Sequence, residues 1–301
     1  MSASLIIICG PTATGKSELA LDVASEFNGE IVNADSMQLY KGMDIGTAKL
    51  TVAERQGIPH HLLDILDVSQ DASVASYQVL ARAAVDQLRA DGKAAVIVGG
   101  TGLYIKAIID EMNFPETDPA LRKQLEDEAE LLGTAELYSR LRVLDPEAAD
   151  AIEPANTRRI IRALEVIEVT GKPYSANLPS DTSLRYPDAL HIGLSMERSS
   201  LAPRIEARVH RMFDQGLVDE VKTLITQGLL FGATAQRAIG YAQVISMING
   251  DISEAQAIEE TIVATRQYVR RQETWFKRDQ RIQWIAEGQP RLTTIAEQLN
   301  S

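Results

Sequence analysis

The fold is decided at LIIICGPTATGKS, residues 5–17. Five apolar residues in a row read as a buried strand. The eight that follow have the G-x-x-x-x-G-K-[ST] spacing of a phosphate-binding loop. Glycines let backbone amides turn inward on phosphate oxygens, and the N-terminus of the next helix adds the positive end of its dipole. The loop comprises Gly10, Pro11, Thr12, Ala13, Thr14, Gly15, Lys16 and Ser17. Lys16 brings a full charge to the terminal phosphates, and the Ser17 hydroxyl suits Mg2+. The spacing calls for a polyphosphate without saying which molecule carries it.

Outward from the loop, residues 15–27 read as a helix with Leu19, Ala20, Val23 and Phe27 on its inner face. A short strand over 30–33 ends at Ala34-Asp35-Ser36, and an amphipathic helix spans 73–90. A further strand, 94–98, runs into Gly99-Gly100-Thr101-Gly102. Strands alternating with helices predict a parallel α/β sheet, whose ligands sit at the carboxyl ends of the strands. The phosphate loop, Asp35 and Thr101 all fall at that edge. From about residue 113 the texture changes: Phe114-Pro115 and Asp118-Pro119 break the chain, and short helical stretches follow. Residues 113–185 read as a mainly helical insertion, with a loop at 179–187. The P-loop-containing parallel sheet core then comprises 1–112 and 186–301. Its second part holds a strand at 190–195, helices over 201–213, 217–227, 239–248 and 254–278, and a last strand at 282–286.

Composition is that of a globular protein with a sizeable core: 45% hydrophobic and 24% charged residues over 301. No apolar run reaches the roughly 20 residues of a membrane helix, so no membrane partner is expected. No secretory signal is expected either, and the single cysteine, Cys9, reads as a packing residue in a reducing cytoplasm. A net charge of −12 argues against an unselective nucleic-acid binder. Arginines nevertheless cluster at 158–162, 204–211 and 266–278, and stripes like these on an acidic body can hold one RNA.

What is missing narrows the chemistry. A common nucleoside triphosphatase has an apolar strand ending in an acid that serves the metal, whereas AAVIV (94–98) ends in GGTG. The carboxylate at the active edge is Asp35 instead. It reads either as a general base or as a cap for the turn after it.

Several motifs then bear on the family. NADSMQLYKGMDIGTAK (33–49), PHHLLD (59–64), VGGTGLY (98–104) and RRIIRALEV (158–166) accompany the phosphate loop in order. They continue through RIEARVHRMFDQGLVDEV (204–221), RAIGY (237–241) and TRQYVRRQETWF (265–276). In these motifs the chain resembles the tRNA dimethylallyltransferases, also called tRNA isopentenyltransferases. The resemblance implies transfer of a prenyl group from dimethylallyl diphosphate to N6 of adenosine-37 beside the anticodon, with Mg2+ as cofactor. It implies Asp35 as the base, Thr101 near the reacting groups, Lys16 and Arg208 on the diphosphate, and residues 12–17 as the donor's cradle. It also implies contacts to the tRNA anticodon stem-loop from Asp35, Ser36, Met37, Gln38, Thr101 and Arg122. Further tRNA contacts are implied at Arg158, Arg159, Ile160, Ile161 and Arg162; at Arg237, Ala238, Ile239, Gly240, Tyr241 and Ala242; and at Arg270, Arg271, Gln272 and Lys277. Ala242 departs from the pattern, since relatives often carry a basic residue there. A cytoplasmic monomer is expected.

Two other enzymes fit parts of the pattern: an isopentenyltransferase acting on free AMP, ADP or ATP, and a small-molecule kinase that binds ATP through the loop. The first would need neither the long helical insertion nor the basic C-terminal helix, and the second would carry a lid of arginines over ATP and show no tRNA dependence. Without the resemblance, the arginine stripes read as solvated helix faces, and Arg208 as one more surface arginine. His60-His61 is not read as a metal pair, because adjacent loop histidines point apart. Trp275 and Trp284 read as packing residues.

Overall fold

The first apolar run becomes β1 (Leu5–Cys9), buried from end to end. It lies inside a sheet formed with β2 (Gly29–Asn33), β3 (His60–His61), β4 (Ala94–Gly99), β5 (Leu190–Ser195) and β6 (Gln283–Ala286). The order is β3-β2-β4-β1-β5-β6, and every pairing is parallel. A parallel strand covered on both faces has no polar side, which is why the run is continuous rather than alternating. Leu5, Ile7 and Cys9 pack with side chains of α2 (Val74–Ala90) and α3 (Gly102–Ile109). Ile6 and Ile8 face α1 (Lys16–Glu26) and Ile295 of the C-terminal α12 (Arg291–Leu299).

The computed structural model describes residues 4–175 and 184–299. The chain divides into two units, Met1–Ile109 with Tyr186–Ser301, and Asp110–Arg185. Beside the sheet, the first unit carries α8 (Arg198–Asp214), α9 (Leu217–Thr226), α10 (Tyr241–Ile248) and α11 (Glu254–Phe276). A separate core joins Tyr40 and Met43 to α9 and α10 through Leu217, Val221, Tyr241 and Val244. Among the described residues no helix is long and apolar enough to cross a membrane. Where a loop was expected, His60-His61 forms the short edge strand beside β2. Its His61 Nε2 lies 2.6 Å from Glu30 Oε2, and Lys93 donates to the other Glu30 oxygen at 2.5 Å. The pair is an edge-strand anchor, and its polar partner is a carboxylate.

The second unit is built of α4 (Pro119–Leu132), α5 (Thr134–Leu144), α6 (Pro146–Ala151) and α7 (Thr157–Thr170). Asp118-Pro119, which reads as a chain break, is a helix start. The Asp118 carboxylate accepts from the amides of Ala120 and Leu121, and proline fills the position whose amide has no helical partner. Of the loop expected at 179–187, residues 179–183 lie outside the described ones. The core contains Leu125, Leu137, Leu141, Ile160, Ile161 and Leu164. Glu165 is fully buried within it. One of its oxygens accepts from the Asp118 amide at 3.1 Å, and the other from Arg122 and Arg162 at 2.8 Å each. Arg162 also donates to the Pro115 carbonyl at 2.7 Å, so the charged group holds the chain that enters α4.

Removing one partner of such a cluster leaves like charges facing each other with their counter-charge gone. Because both arginines are partly solvated, we expect Glu165→Ala to cost about 2–3 kcal/mol. A urea midpoint unchanged from wild type would show that the cluster contributes nothing.

Candidate active site

The site grows from three strand ends. β1 ends in the phosphate loop, β2 in Asp35, and β4 in Gly99-Gly100-Thr101. In-register pairing of Asn33 with Val98 and of Cys9 with Gly99 sets these ends side by side. Ala13 adopts φ 67° and Gly15 φ 88°, left-handed values that curl the loop over the start of α1. Thr14 Oγ1 donates to the Pro11 carbonyl at 2.8 Å, and Lys16 Nζ reaches the same oxygen at 2.5 Å. Burial, and then the nearby Arg208 guanidinium, push the Lys16 ammonium down to about 8.

Asp35 is held by its neighbours. Its amide donates to Asn33 Oδ1, and Asn33 Nδ2 returns to the Asp35 and Leu62 carbonyls. The Asp35 Oδ1 accepts from the Met37 amide at 2.9 Å, which fixes the carboxylate plane. Asp35 thus caps its own turn, and it also lines both cavities. Thr101 Oγ1 accepts from the Ser36 amide at 3.2 Å and ties the β4 turn to the β2 turn. From α8, Arg208 Nη2 points to the Thr47 carbonyl at 3.4 Å. Burial pushes the guanidinium down, and Asp35 acts in the opposite direction.

Two cavities meet here. One, of about 590 Å³, is lined by the loop, Asn33, Gln38 and the α8 side chains Arg204, Arg208 and Arg211. The other, of about 290 Å³, has a more apolar wall that includes Met37, Val209, Met212, Ala238, Ile239 and Tyr268. Thr12, Asp35, Thr47 and Arg208 line both. The first is a cationic slot suited to phosphate. The second is shaped for an uncharged or aromatic group, and the carboxylate stands where the two join.

The wall of the smaller cavity has its own support. Glu220 accepts from the amides of Asp44, Ile45 and Gly46 at 3.2, 2.7 and 3.3 Å, and from the Tyr241 hydroxyl at 2.5 Å. Lys49, nearly inaccessible, donates to the Tyr40 carbonyl and to Asp44 and Asp64. These contacts assign the aspartate and the lysine of DIGTAK to shaping the 44–49 turn.

The residues expected at an RNA surface divide by exposure. Arg158, Arg159, Arg237, Arg270, Arg271 and Lys277 are exposed, and Arg271 lies over the Tyr268 ring at 5.6 Å. Ser36, Met37, Gln38, Thr101, Ile239 and Ala242 are half-buried, and Ala238 and Gly240 are buried. Arg122 and Arg162 are engaged with Glu165. Ile160, Ile161 and Tyr241 are core residues, and Gln272 is 4% exposed with its carboxamide bonded on both sides. Sequence reasoning missed Asn33, Thr47, Arg211, Glu220 and Tyr268. Tyr268 carried a signal, lying one helical turn before Gln272 on the same stripe.

The family model for IPP transferase matches residues 38–279. This chain belongs to the IPP transferase family. A tRNA dimethylallyltransferase from Streptomyces coelicolor is 54% identical over 284 residues, which is 94% of this chain and 90% of that protein. One from Thermobifida fusca is 53% identical over 299 residues, 98% of this chain and 93% of the relative. Among solved structures, the full-length tRNA isopentenylpyrophosphate transferase of Bacillus halodurans has a TM-score of 0.72 at 38% identity. The match covers 99% of this chain and 95% of that one. A eukaryotic dimethylallyltransferase acting on tRNA gives 0.82 at 28% identity, over 98% of this chain and 78% of that one. This IPP transferase is thus a parallel-sheet enzyme of a prenyl-transferring family.

The Glu220–Tyr241 bond is the simplest part of the wall to test. Tyr241→Phe removes a hydrogen bond to a charged acceptor, worth about 1.5 kcal/mol, and should lower the melting temperature by roughly 3–6 °C. An unshifted melting curve would dismiss that bond as a support of the wall.

Proposed function

We propose that this IPP transferase moves the dimethylallyl group of dimethylallyl diphosphate to N6 of adenosine-37 in tRNA and releases diphosphate. The observation that carries the reading is the position of Asp35 and Arg208 on the boundary shared by the two cavities. A diphosphate fits the larger, cationic cavity. The prenyl chain and an extruded adenine fit the smaller one, and the bond-forming atoms then meet beside Asp35. A tRNA substrate fits a cytoplasmic enzyme.

The chemistry follows from those places. The N6 lone pair is delocalised into the adenine ring, so the amine attacks only when its proton is removed as the bond forms. N6 bonds to the allylic C1, the C1–O bond to the diphosphate breaks, and the N6 proton passes to the Asp35 carboxylate. Its Oδ1 stays engaged with the Met37 amide, which leaves Oδ2 to face the amine. Negative charge grows on the departing bridging oxygen, and loop amides, Lys16 and Arg208 meet it. An adenine inside a stacked anticodon loop cannot enter a cavity of this kind, so it must leave the stack. Single-stranded loops give up a base cheaply.

The donor set also fits Mg2+ carried by the diphosphate rather than held in a cage of its own. Among the described residues no group of three or more His, Cys, Asp or Glu side chains forms a metal site, and Ser17 at the cavity offers one hydroxyl oxygen. Magnesium commonly binds in this way, through phosphate oxygens, water and few protein ligands, and it would neutralise charge on the leaving group.

The test is incubation with labelled dimethylallyl diphosphate, Mg2+ and tRNA lacking the modification, with AMP and ATP as competing acceptors. Label should enter tRNA at adenosine-37, and label in AMP alone would refute the reading. In the same assay Asp35→Asn keeps an acceptor for the Met37 amide and loses the base. Turnover should fall about 10²–10⁴-fold while donor and tRNA affinities stay within twofold. Turnover close to wild type would remove Asp35 from the chemistry.

Lys16 adds a pH dependence. Its pKa near 8 is depressed by burial, and an anionic donor restores the charged form, so binding takes up a proton above that pH. Donor affinity should therefore fall as pH rises through 8. In Lys16→Met it should be weaker and lack that fall. A variant that kept the wild-type profile would assign the titration elsewhere.

A further inference from the structure

Gln272 was expected at the tRNA surface, yet it lies inside the protein with its carboxamide bonded on both sides. Its Oε1 accepts from the Thr12 amide at 3.0 Å, and its Nε2 donates to the Gly100 carbonyl at 2.9 Å. One side chain of α11 thus bridges the phosphate loop after β1 and the turn after β4, spanning 260 residues to one and 172 to the other. The approach is so close that a Cβ on Gly100 would collide with Gln272 Nε2. Tyr268, one turn earlier on α11, has its hydroxyl 3.5 Å from the same Gly100 carbonyl and lines the smaller cavity. One turn later, the Trp275 indole closes on Gly102 in the same way.

We propose that Gln272 is a positioning residue for the donor: it holds the Thr12 end of the phosphate loop in the register that binds the diphosphate. The inference rests on the reading above that this loop cradles the donor's diphosphate, and it revises one detail of it. The Thr12 amide is committed to Gln272, so the phosphate oxygens are met by later amides of the loop and by Lys16. It also separates two tasks on α11. The exposed Arg270 and Arg271 face outward for the acceptor, while Gln272 between their turn and the sheet serves the loop.

The experiment measures binding of inorganic diphosphate with Mg2+, and separately of unmodified tRNA, to wild type and to Gln272→Met. Methionine keeps the volume and removes both hydrogen bonds, leaving the Thr12 amide without a partner and the Gly100 carbonyl with only the longer Tyr268 contact. We expect diphosphate to bind roughly tenfold more weakly and tRNA affinity to stay within twofold. Gly100→Ala, which pushes the carboxamide off from the other side, should give the same split. A variant that loses tRNA affinity and keeps diphosphate affinity would make Gln272 an acceptor contact and overturn the proposal, as would no change in either. Loss of the cooperative unfolding transition in both variants would make the bridge a structural one and also overturn it. Failure of the wild-type protein to bind diphosphate would remove the underlying reading, and the inference with it.

Discussion

The site depends on how closely α11 approaches the turn after β4, because this contact joins the two halves of the catalytic edge. Gly100 and Gly102 have no room for a side chain, since Gln272 and Trp275 occupy the space a Cβ would take. The glycines are thus needed for packing as much as for turning. The register of β1 against β4 then carries the contact across to the phosphate loop. Without that approach the loop and Thr101 would sit at the same sheet edge, but nothing on α11 would hold them at a fixed separation.

The placement of the acid follows from the same edge. A phosphate-loop enzyme that transfers a phosphoryl group needs charge on the metal at the transferred phosphorus, and commonly draws it from the strand next to the loop. Here the neighbouring strand ends in glycine and threonine, and the carboxylate comes from β2, one strand further out. From that position it faces the junction of the two cavities. In the proposed reaction the loop would therefore hold a leaving group, with the new bond made at carbon.

Much of this was readable from the chain. The continuous apolar run of β1, the loop spacing and the acid-free end of β4 each follow from local sequence. Together they placed Lys16, Asp35 and Thr101 at one edge. What stayed hidden depends on partners far apart in the chain. Glu220 reads as an ordinary surface acid until its oxygens meet the 44–46 amides, more than 170 residues away. Gln272 sits among arginines in TRQYVRRQETWF, so its neighbours suggest a surface, and only the side-chain bonds show an interior bridge. Arg122 and Arg162 look available for a polyanion in sequence, whereas a buried glutamate at position 165 already holds both. Position on a helix shows which side chains share a face, but not whether a counter-charge is already waiting there.

These engaged arginines bear on how a protein of net charge −12 can act on tRNA. Counterion release rewards phosphates neutralised by cations that are not already paired, so Arg122 and Arg162 contribute little to it. Arg158 and Arg159 on one unit, and Arg237, Arg270, Arg271 and Lys277 on the other, form a short set of exposed cations. In the proposed reaction selectivity comes from a base that leaves its stack and reaches the cavity beside Asp35.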